Sequence, residues 1–339
     1  MSDRRARAPI GVFDSGIGGL TVVRALSHRL PGANIVYFGD TARVPYGTKS
    51  AATVRRFSVE NTHFLLNQGV QLVVIACNTS SAVALDTLRR QFEIPILGVV
   101  EPGARAAVAA TRSGRIGVIG TYGTVASGSY EQAIRSLLPS AEVIAVACPL
   151  FVPLAEEGWI DHPVTRAVAE EYLAPLRDAR IDTLVLGCTH YPVLRGDIAS
   201  VFAGEPVVLV DSAAEVAREV AVHLVPEAAL PGAGPGAKGD ASPAGDASPA
   251  GEASAGGEAS PAGETSAAGE ATAAGEAGAC RFYVSDIPGR FREVGSRFLG
   301  RPLAAVELVD QTDLPWFERE LAAAGRAEPA GEDTREPAE

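Results

Sequence analysis

The sequence predicts an α/β fold of two similar parallel-sheet α/β domains that face each other across an active-site cleft, with a disordered insertion in the first domain. Three observations predict it. Short apolar runs alternate with helical patterns from the start of the chain, the rhythm of parallel strands covered by helices. The alternation pauses near 95–102 and then restarts as a second series. Each series also holds an apolar strand that ends in a cysteine, LVVIACNT in one and TLVLGCTH in the other, followed by a small polar pair and a helix pattern.

In the first series, 10–13, 35–38 and 72–76 read as strands, and 20–30, 51–68 and 82–92 as the helices between them. In the second, strands at 115–119, 143–146 and 183–186 alternate with helices at 124–138 and 164–177. A strand at 281–284, a helix at 287–299 and a last strand at 305–308 follow near the C-terminus. The expected division is 1–98 with 208–226 and 280–320 for the first domain, and 99–207 for the second.

Residues 239–280 repeat with a period of six, as in GDASPA, GEASPA and GETSAA. Nothing large and apolar is available for burial, so the entropy of ordering is not offset. The low-complexity segment 227–279 is therefore expected to be a flexible insertion, and 321–339 a disordered acidic tail. A collagen reading fails, because glycine would have to recur at every third position. These two segments also explain the charge. Of the net −12, residues 227–279 carry −7 and 321–339 carry −3, so the remainder is close to neutral at −2. No basic face is evident, and nucleic acid is not an expected partner.

The N-terminal MSDRRARAPIGVFDSG has arginines but no apolar core of a secretory signal. No apolar run approaches the roughly 18 residues of a membrane span. The four cysteines, Cys77, Cys148, Cys188 and Cys280, lie far apart. That pattern fits reduced thiols in a cytoplasm better than a disulfide frame.

Ligands in parallel α/β sheets collect at the carboxyl ends of strands. Four polar clusters fall there: Asp14-Ser15, Asp40-Thr41, Cys77-Asn78-Thr79 and Cys188-Thr189-His190. Alone, each cluster reads as a helix cap or a buried small residue. Two cysteines at matched positions of matched halves favour chemistry. Each is expected at a helix N-terminus, whose partial positive charge favours a thiolate and suits a substrate carboxylate. Two acids facing each other across a cleft are what stereo-inversion needs, one thiolate removing a proton while the opposite thiol delivers another.

Cofactor chemistry finds little support. Only Lys49 and Lys238 are lysines, and a pyridoxal Schiff base needs a lysine in the site. GVFDSGIGGLTV lacks the dinucleotide spacing. Five scattered histidines make no zinc cluster, so neither metal nor cofactor is expected. Cys148 and Cys280 have no mirrored mate, and His28, His63, His162 and His223 read as surface or packing residues.

FDSGIGGLTV, YFGDTARVPYG, ACNTSSA and LGCTHYP, in that order, closely resemble the signature stretches of bacterial glutamate racemases. The resemblance covers about 10–226 and 281–309. It implies cofactor-independent interconversion of L- and D-glutamate to supply peptidoglycan, in a cytoplasmic homodimer. It implies that Cys77 acts on the D-enantiomer and Cys188 on the L-enantiomer. Asp14 would assist Cys77, and His190 with Glu156 would assist Cys188, although Glu157 stands beside Glu156. Asp14, Ser15, Tyr46, Gly47, Asn78, Thr79, Thr189 and His190 match substrate contacts, and Asp40, a further acidic position near the site, is placed among them. A racemase of aspartate or another acidic amino acid is the nearest alternative. A cysteine hydrolase with Cys188 as nucleophile and His190 as base is the next, and a non-catalytic partner-binding role the third.

Overall fold

Strands β1 (Ile10–Asp14), β2 (Ile35–Gly39), β3 (Leu72–Ile75) and β4 (Ile96–Gly98) form a wholly parallel sheet with β9 (Cys280–Val284) and β10 (Glu307–Leu308), in the order β10-β9-β2-β1-β3-β4. A second parallel sheet runs β6-β5-β7-β8, from β5 (Arg115–Gly120), β6 (Glu142–Ala147), β7 (Thr183–Gly187) and β8 (Val208–Asp211). The computed structural model describes residues 8–224, 278–303 and 305–310. Apart from 278–279, the expected insertion beyond Leu224 lies outside the described residues, as does the acidic tail. The described residues up to Ala221 and from 278 onward belong to one compact unit, which holds both sheets; of the other, only the helix end Val222–Leu224 is described.

The central strands are buried along their whole length. This is why they read as unbroken apolar runs rather than alternating ones: parallel sheets are covered on both faces. Phe13, Phe38, Phe64, Ile75 and Leu88 fill the core of the first half. Val100, Ile116, Val118, Tyr130 and Val185 fill that of the second. Each such side chain is worth about 1.5–3 kcal/mol when fully buried.

The helices α1 (Leu20–Arg29), α2 (Ala51–Asn67) and α3 (Asn78–Gln91) follow β1, β2 and β3. Ser50 caps α2, its hydroxyl accepting the Thr53 N–H at 3.2 Å. The pause near 95–102 is not a break. It contains β4 and the start of α4 (Val100–Ala110), and the two elements are too short or too close to Pro95 and Pro102 to show a clear period.

The single helix expected at 124–138 is two, α5 (Tyr122–Ala126) and α6 (Ser129–Leu137). Gly128 separates them with φ +64, a left-handed conformation that glycine adopts without steric cost. Next come α7 (Phe151–Glu157), α8 (Pro163–Asp178), the short α9 (Arg195–Ser200) and α10 (Ser212–Leu224), with α11 (Pro288–Leu299) after β9. The sequence pattern missed α7, α9, β8 and α10.

One domain boundary needs correction. Residues 208–226 were expected in the first domain, but β8 pairs with β7, Leu184 opposite Leu209, and so extends the second sheet. The chain returns to the first sheet only at β9, which pairs with β2. Among the described residues, no helix is long and apolar enough to cross a membrane.

Candidate active site

The carboxyl ends of the two sheets share a small cavity of about 50 Å³. Ser15 after β1, Cys77 to Thr79 after β3, and Tyr46-Gly47 line it from the first half. Thr121 and Thr124 after β5, Glu156 on α7, and Cys188 to His190 after β7 line it from the second. Both cysteines therefore line one cleft. Glycines allow the halves to approach this closely. A Cβ on Gly47 would lie 2.5 Å from Thr121 Cβ, and one on Gly123 would lie 3.1 Å from the Gly47 carbonyl oxygen.

Cys77 is the N-cap of α3 and is 5% exposed. Burial pushes its thiol up to about 11, and the neighbouring Asp14 carboxylate adds to the rise. The Ser80 backbone N–H and the Ser15 hydroxyl oppose it without prevailing. The thiolate that the helix N-terminus is expected to favour is thus opposed by burial, which leaves the thiol raised rather than lowered. Asp14 is fully buried. Its Oδ2 accepts the Gly16 N–H at 2.9 Å and its Oδ1 accepts the Thr189 hydroxyl at 3.4 Å. Burial raises its pKa, against the charge of His190 and these hydrogen bonds. Asp14 stands behind the cavity wall rather than on it.

Cys188 does not cap an α-helix, which corrects the second half of that expectation. Residues 188–190 form a bend and turn that lead into a short 3₁₀ segment, Tyr191–Leu194. Its electrostatic partner is a side chain instead. His190 Nδ1 lies 3.8 Å from Cys188 Sγ, and His190 Nε2 lies 3.0 Å from Glu156 Oε1. Burial alone would lower the pKa of His190, but the contacts with Cys188 and Glu156 outweigh it and raise it to about 10. Glu156 moves the other way: the His190 contact overcomes burial and holds the carboxyl below its usual range. Its neighbour Glu157 points elsewhere, to Arg290 at 3.3 Å, which removes the ambiguity between the two acids.

Asn78 accepts the Tyr130 hydroxyl at 2.7 Å through Oδ1, while its buried Nδ2 has no partner among the described residues. The hydroxyls of Thr79, Thr121 and Thr124 form a triangle with sides of 2.9, 3.1 and 3.1 Å. Thr121, Thr124 and Tyr130 were not foreseen. A signal for the threonines existed in TYGT, which follows β5 as NTSS follows β3.

Asp40 is not brought into the cavity. It is fully buried, accepting Arg43 Nε at 2.7 Å, the Ser285 hydroxyl at 3.0 Å and the Tyr46 hydroxyl. Asn61 Nδ2 donates to the same Tyr46 oxygen at 3.1 Å. Asp40 thus holds the Tyr46-Gly47 wall in place and has no oxygen turned to the cleft, so its expected place among the substrate contacts is corrected.

The remaining histidines and cysteines do not line the cavity. His28 and His223 are exposed, His63 packs edge-on against Phe92, and His162 Nδ1 accepts the Val164 N–H at 3.2 Å. Cys148 is buried, and burial drives its pKa far up. Among the described residues no group of three His, Cys, Asp or Glu could hold a metal ion. Lys49 lines a separate cavity that touches the cysteine cleft only through Thr79.

The sequence profile of the Asp/Glu/Hydantoin racemases matches residues 20–220. A glutamate racemase of Geobacter metallireducens is 48% identical over 297 residues, 88% of this chain and 94% of the relative. A glutamate racemase structure from Francisella tularensis, in complex with D-glutamate, superposes with a TM-score of 0.72 at 34% identity, covering 91% of this chain and all of that one. The Thermus thermophilus enzyme, bound to beta-chloro-D-alanine, gives 0.70 at 41% identity over 91% and 99% of the two chains. With Cys77 and Cys188 inside the profile match and about nine-tenths of the chain covered by each of these relatives, the chain belongs to the Asp/Glu/Hydantoin racemase family, in its glutamate racemase branch.

Proposed function

We propose that this protein interconverts L- and D-glutamate by cofactor-independent, two-base proton transfer between Cys77 and Cys188. One observation carries the reading: the two thiols, at the ends of corresponding strands in opposite halves, line one cavity. In the L-to-D direction the Cys188 thiolate takes the α-proton, and the electron pair delocalises into the α-carboxylate. The Cys77 thiol then gives its proton to the opposite face, leaving Cys77 as thiolate and Cys188 as thiol. The reverse direction runs the same steps backward. The free protein is poised for the first of these, with Cys77 protonated by its raised pKa and Cys188 beside the His190 imidazolium.

Charge building next to an ionised carboxylate makes the α-proton a very weak acid. Hydrogen-bond donors preorganised around that carboxylate lower the barrier. Among the described residues, no Lys or Arg lines the cavity. The donors proposed for that carboxylate are neutral groups, namely Asn78 Nδ2 and the hydroxyls of Thr79, Thr121, Thr124 and Thr189, while the charged His190 stands beside Cys188. Glutamate as substrate is supported by the relatives' activity and the D-glutamate complex of the Francisella protein. The family resemblance adds a cytoplasmic homodimer that supplies D-glutamate for peptidoglycan.

Cys188, His190 and Glu156 also lie in the order of a nucleophile–base–orienter array, which favours a hydrolase as second reading. That reading leaves Cys77 idle. Exchange in heavy water separates the two. A two-base racemase puts solvent deuterium into the product and not into recovered substrate. Cys77→Ser should retain α-exchange only with L-glutamate, and Cys188→Ser only with D-glutamate. Exchange of both enantiomers by either variant, or hydrolysis that survives Cys77→Ala without racemisation by the parent, would overturn the proposal. Aspartate tested beside glutamate separates the substrates.

A further inference from the structure

We propose that Arg297 and Phe298, in the last turn of α11, are positioning residues that set the Glu156–His190 arm behind Cys188. The inference rests on the role given above to that arm. Neither residue lines the cavity, so neither touches substrate.

The apolar face of α11, Phe291, Val294, Phe298 and Leu299, is buried. The helix packs on α1 of the first half so closely that a Cβ on Gly295 would lie 2.7 Å from Leu20 Cδ1. Its last turn then reaches the second half. Arg297 Nη1 donates to the Glu156 carbonyl oxygen at 2.8 Å and to that of Ala155 at 3.4 Å. These are carbonyls at the C-terminus of α7, which an α-helix leaves without intrahelical partners. Gly158 ends α7 with φ +75, and the guanidinium occupies the space where a side chain would stand, with Cζ 2.6 Å from an added Cβ. One residue along, the fully buried Phe298 meets the His190 ring edge-on, with centroids 5.2 Å apart and planes at 78°.

Arg297 thus fixes the backbone that carries the Glu156 carboxylate, and Phe298 fixes the ring that receives it. A carboxylate 3.0 Å from Nε2 and a sulfur 3.8 Å from Nδ1 both require one ring orientation. Because α11 rides on the first half while Glu156 and His190 belong to the second, the arm is complete only when the halves are docked. Groups that orient a reacting residue from outside its contact shell typically cost about 10–100-fold on removal, on the pattern of outer-shell partners at metal sites.

The full-length chain carrying Arg297→Ala should lose about tenfold in kcat for both enantiomers, with KM little changed. Arg297→Lys should recover part of that loss. In a Glu156→Gln background, Arg297→Ala should add less than about twofold, since the path it acts through is already cut. The His190 imidazole, followed by NMR, should titrate lower in Arg297→Ala and in Phe298→Leu than in the parent. Wild-type kcat in Arg297→Ala, an unmoved His190 titration, or a full multiplicative loss in the Glu156→Gln background would overturn the proposal. Wild-type turnover by Glu156→Gln alone would instead remove the arm on which it stands.

Discussion

Gly18 and Thr189 meet across the cleft with no room for a methyl group: a Cβ on Gly18 would overlap the Thr189 hydroxyl and lie 2.5 Å from His190 Nδ1. The same atom, Nδ1, faces the Cys188 sulfur. Gly18 is thus one point where the first half touches the proton-transfer machinery of the second. Gly18→Ala should displace Thr189 and His190 together and lower kcat/KM by about 100-fold, the scale of a misplacement of about 1 Å. Because the two enantiomers are equal in free energy, kcat/KM must fall equally in both directions. Assays from both enantiomers check this, and a thermal midpoint near that of the parent separates it from unfolding.

The pH dependence of stability follows from His190. Its pKa rises from 6.5 to about 10 in the folded protein, contacts with Cys188 and Glu156 prevailing over burial. A group raised on folding stabilises fully below its unfolded pKa and loses that contribution as pH climbs through its folded one. The stability difference between the parent and His190→Gln should therefore be largest below about pH 6.5 and shrink steadily toward pH 10. Denaturant melts across that range measure it. A difference that stays constant would contradict the Cys188–His190–Glu156 contacts as the source of the shift.

The two thiols should differ in reactivity. Cys77 is raised to about 11, mainly by burial and then by Asp14, so near pH 7.5 it is protonated and a poor nucleophile. Cys188 Sγ instead lies 3.8 Å from the His190 ring, and a cationic neighbour makes a thiol more reactive. Iodoacetamide at about pH 7.5 should label Cys188 first, and Cys77 should catch up only as the pH nears 11. At about pH 9, Asp14→Asn should speed labelling of Cys77 by removing a like charge. Peptide mass mapping after timed quenching reads both rates, and equal labelling at neutral pH would be the contrary result.

Much of this site is legible in the sequence, and the reasons are physical. Strands buried on both faces leave continuous apolar runs, so β1, β2, β3, β5 and β7 stand out, and the polar residues that follow them mark the carboxyl ends. Cys77, Asn78, Thr79, Cys188, Thr189 and His190 are all found that way. What stays hidden depends on contacts between segments far apart in the chain. Nothing local says that Tyr130 reaches Asn78 from 52 residues away, or that β8 joins the second sheet. The thiol of Cys77 is hard to read from its helix terminus because a sequence displays where α3 starts but not the depth of burial that raises the thiol. Asp40 is misplaced for a related reason. An acid after a strand signals a place near the ligand, not the direction in which its oxygens turn.

Asp40 provides the test of that last distinction. Its oxygens accept hydrogen bonds from Arg43, Tyr46 and Ser285, and Arg43 also meets Glu60. Removing one partner of a buried charge pair costs about 3–5 kcal/mol when the other is left uncompensated. Glu60 still faces Arg43, so Asp40→Asn should cost less, about 1–3 kcal/mol. With its acceptor weakened, Tyr46 loses its anchor, and Gly47 moves against Thr121 at the cavity wall. A rise in KM should then accompany the loss of stability, while kcat stays within a few-fold of the parent. A carboxylate that contacted substrate directly would give the opposite pairing, with KM or kcat altered and stability intact. Denaturant melts and steady-state kinetics on the same preparation distinguish the two, and an unchanged melt would place Asp40 among the substrate contacts after all.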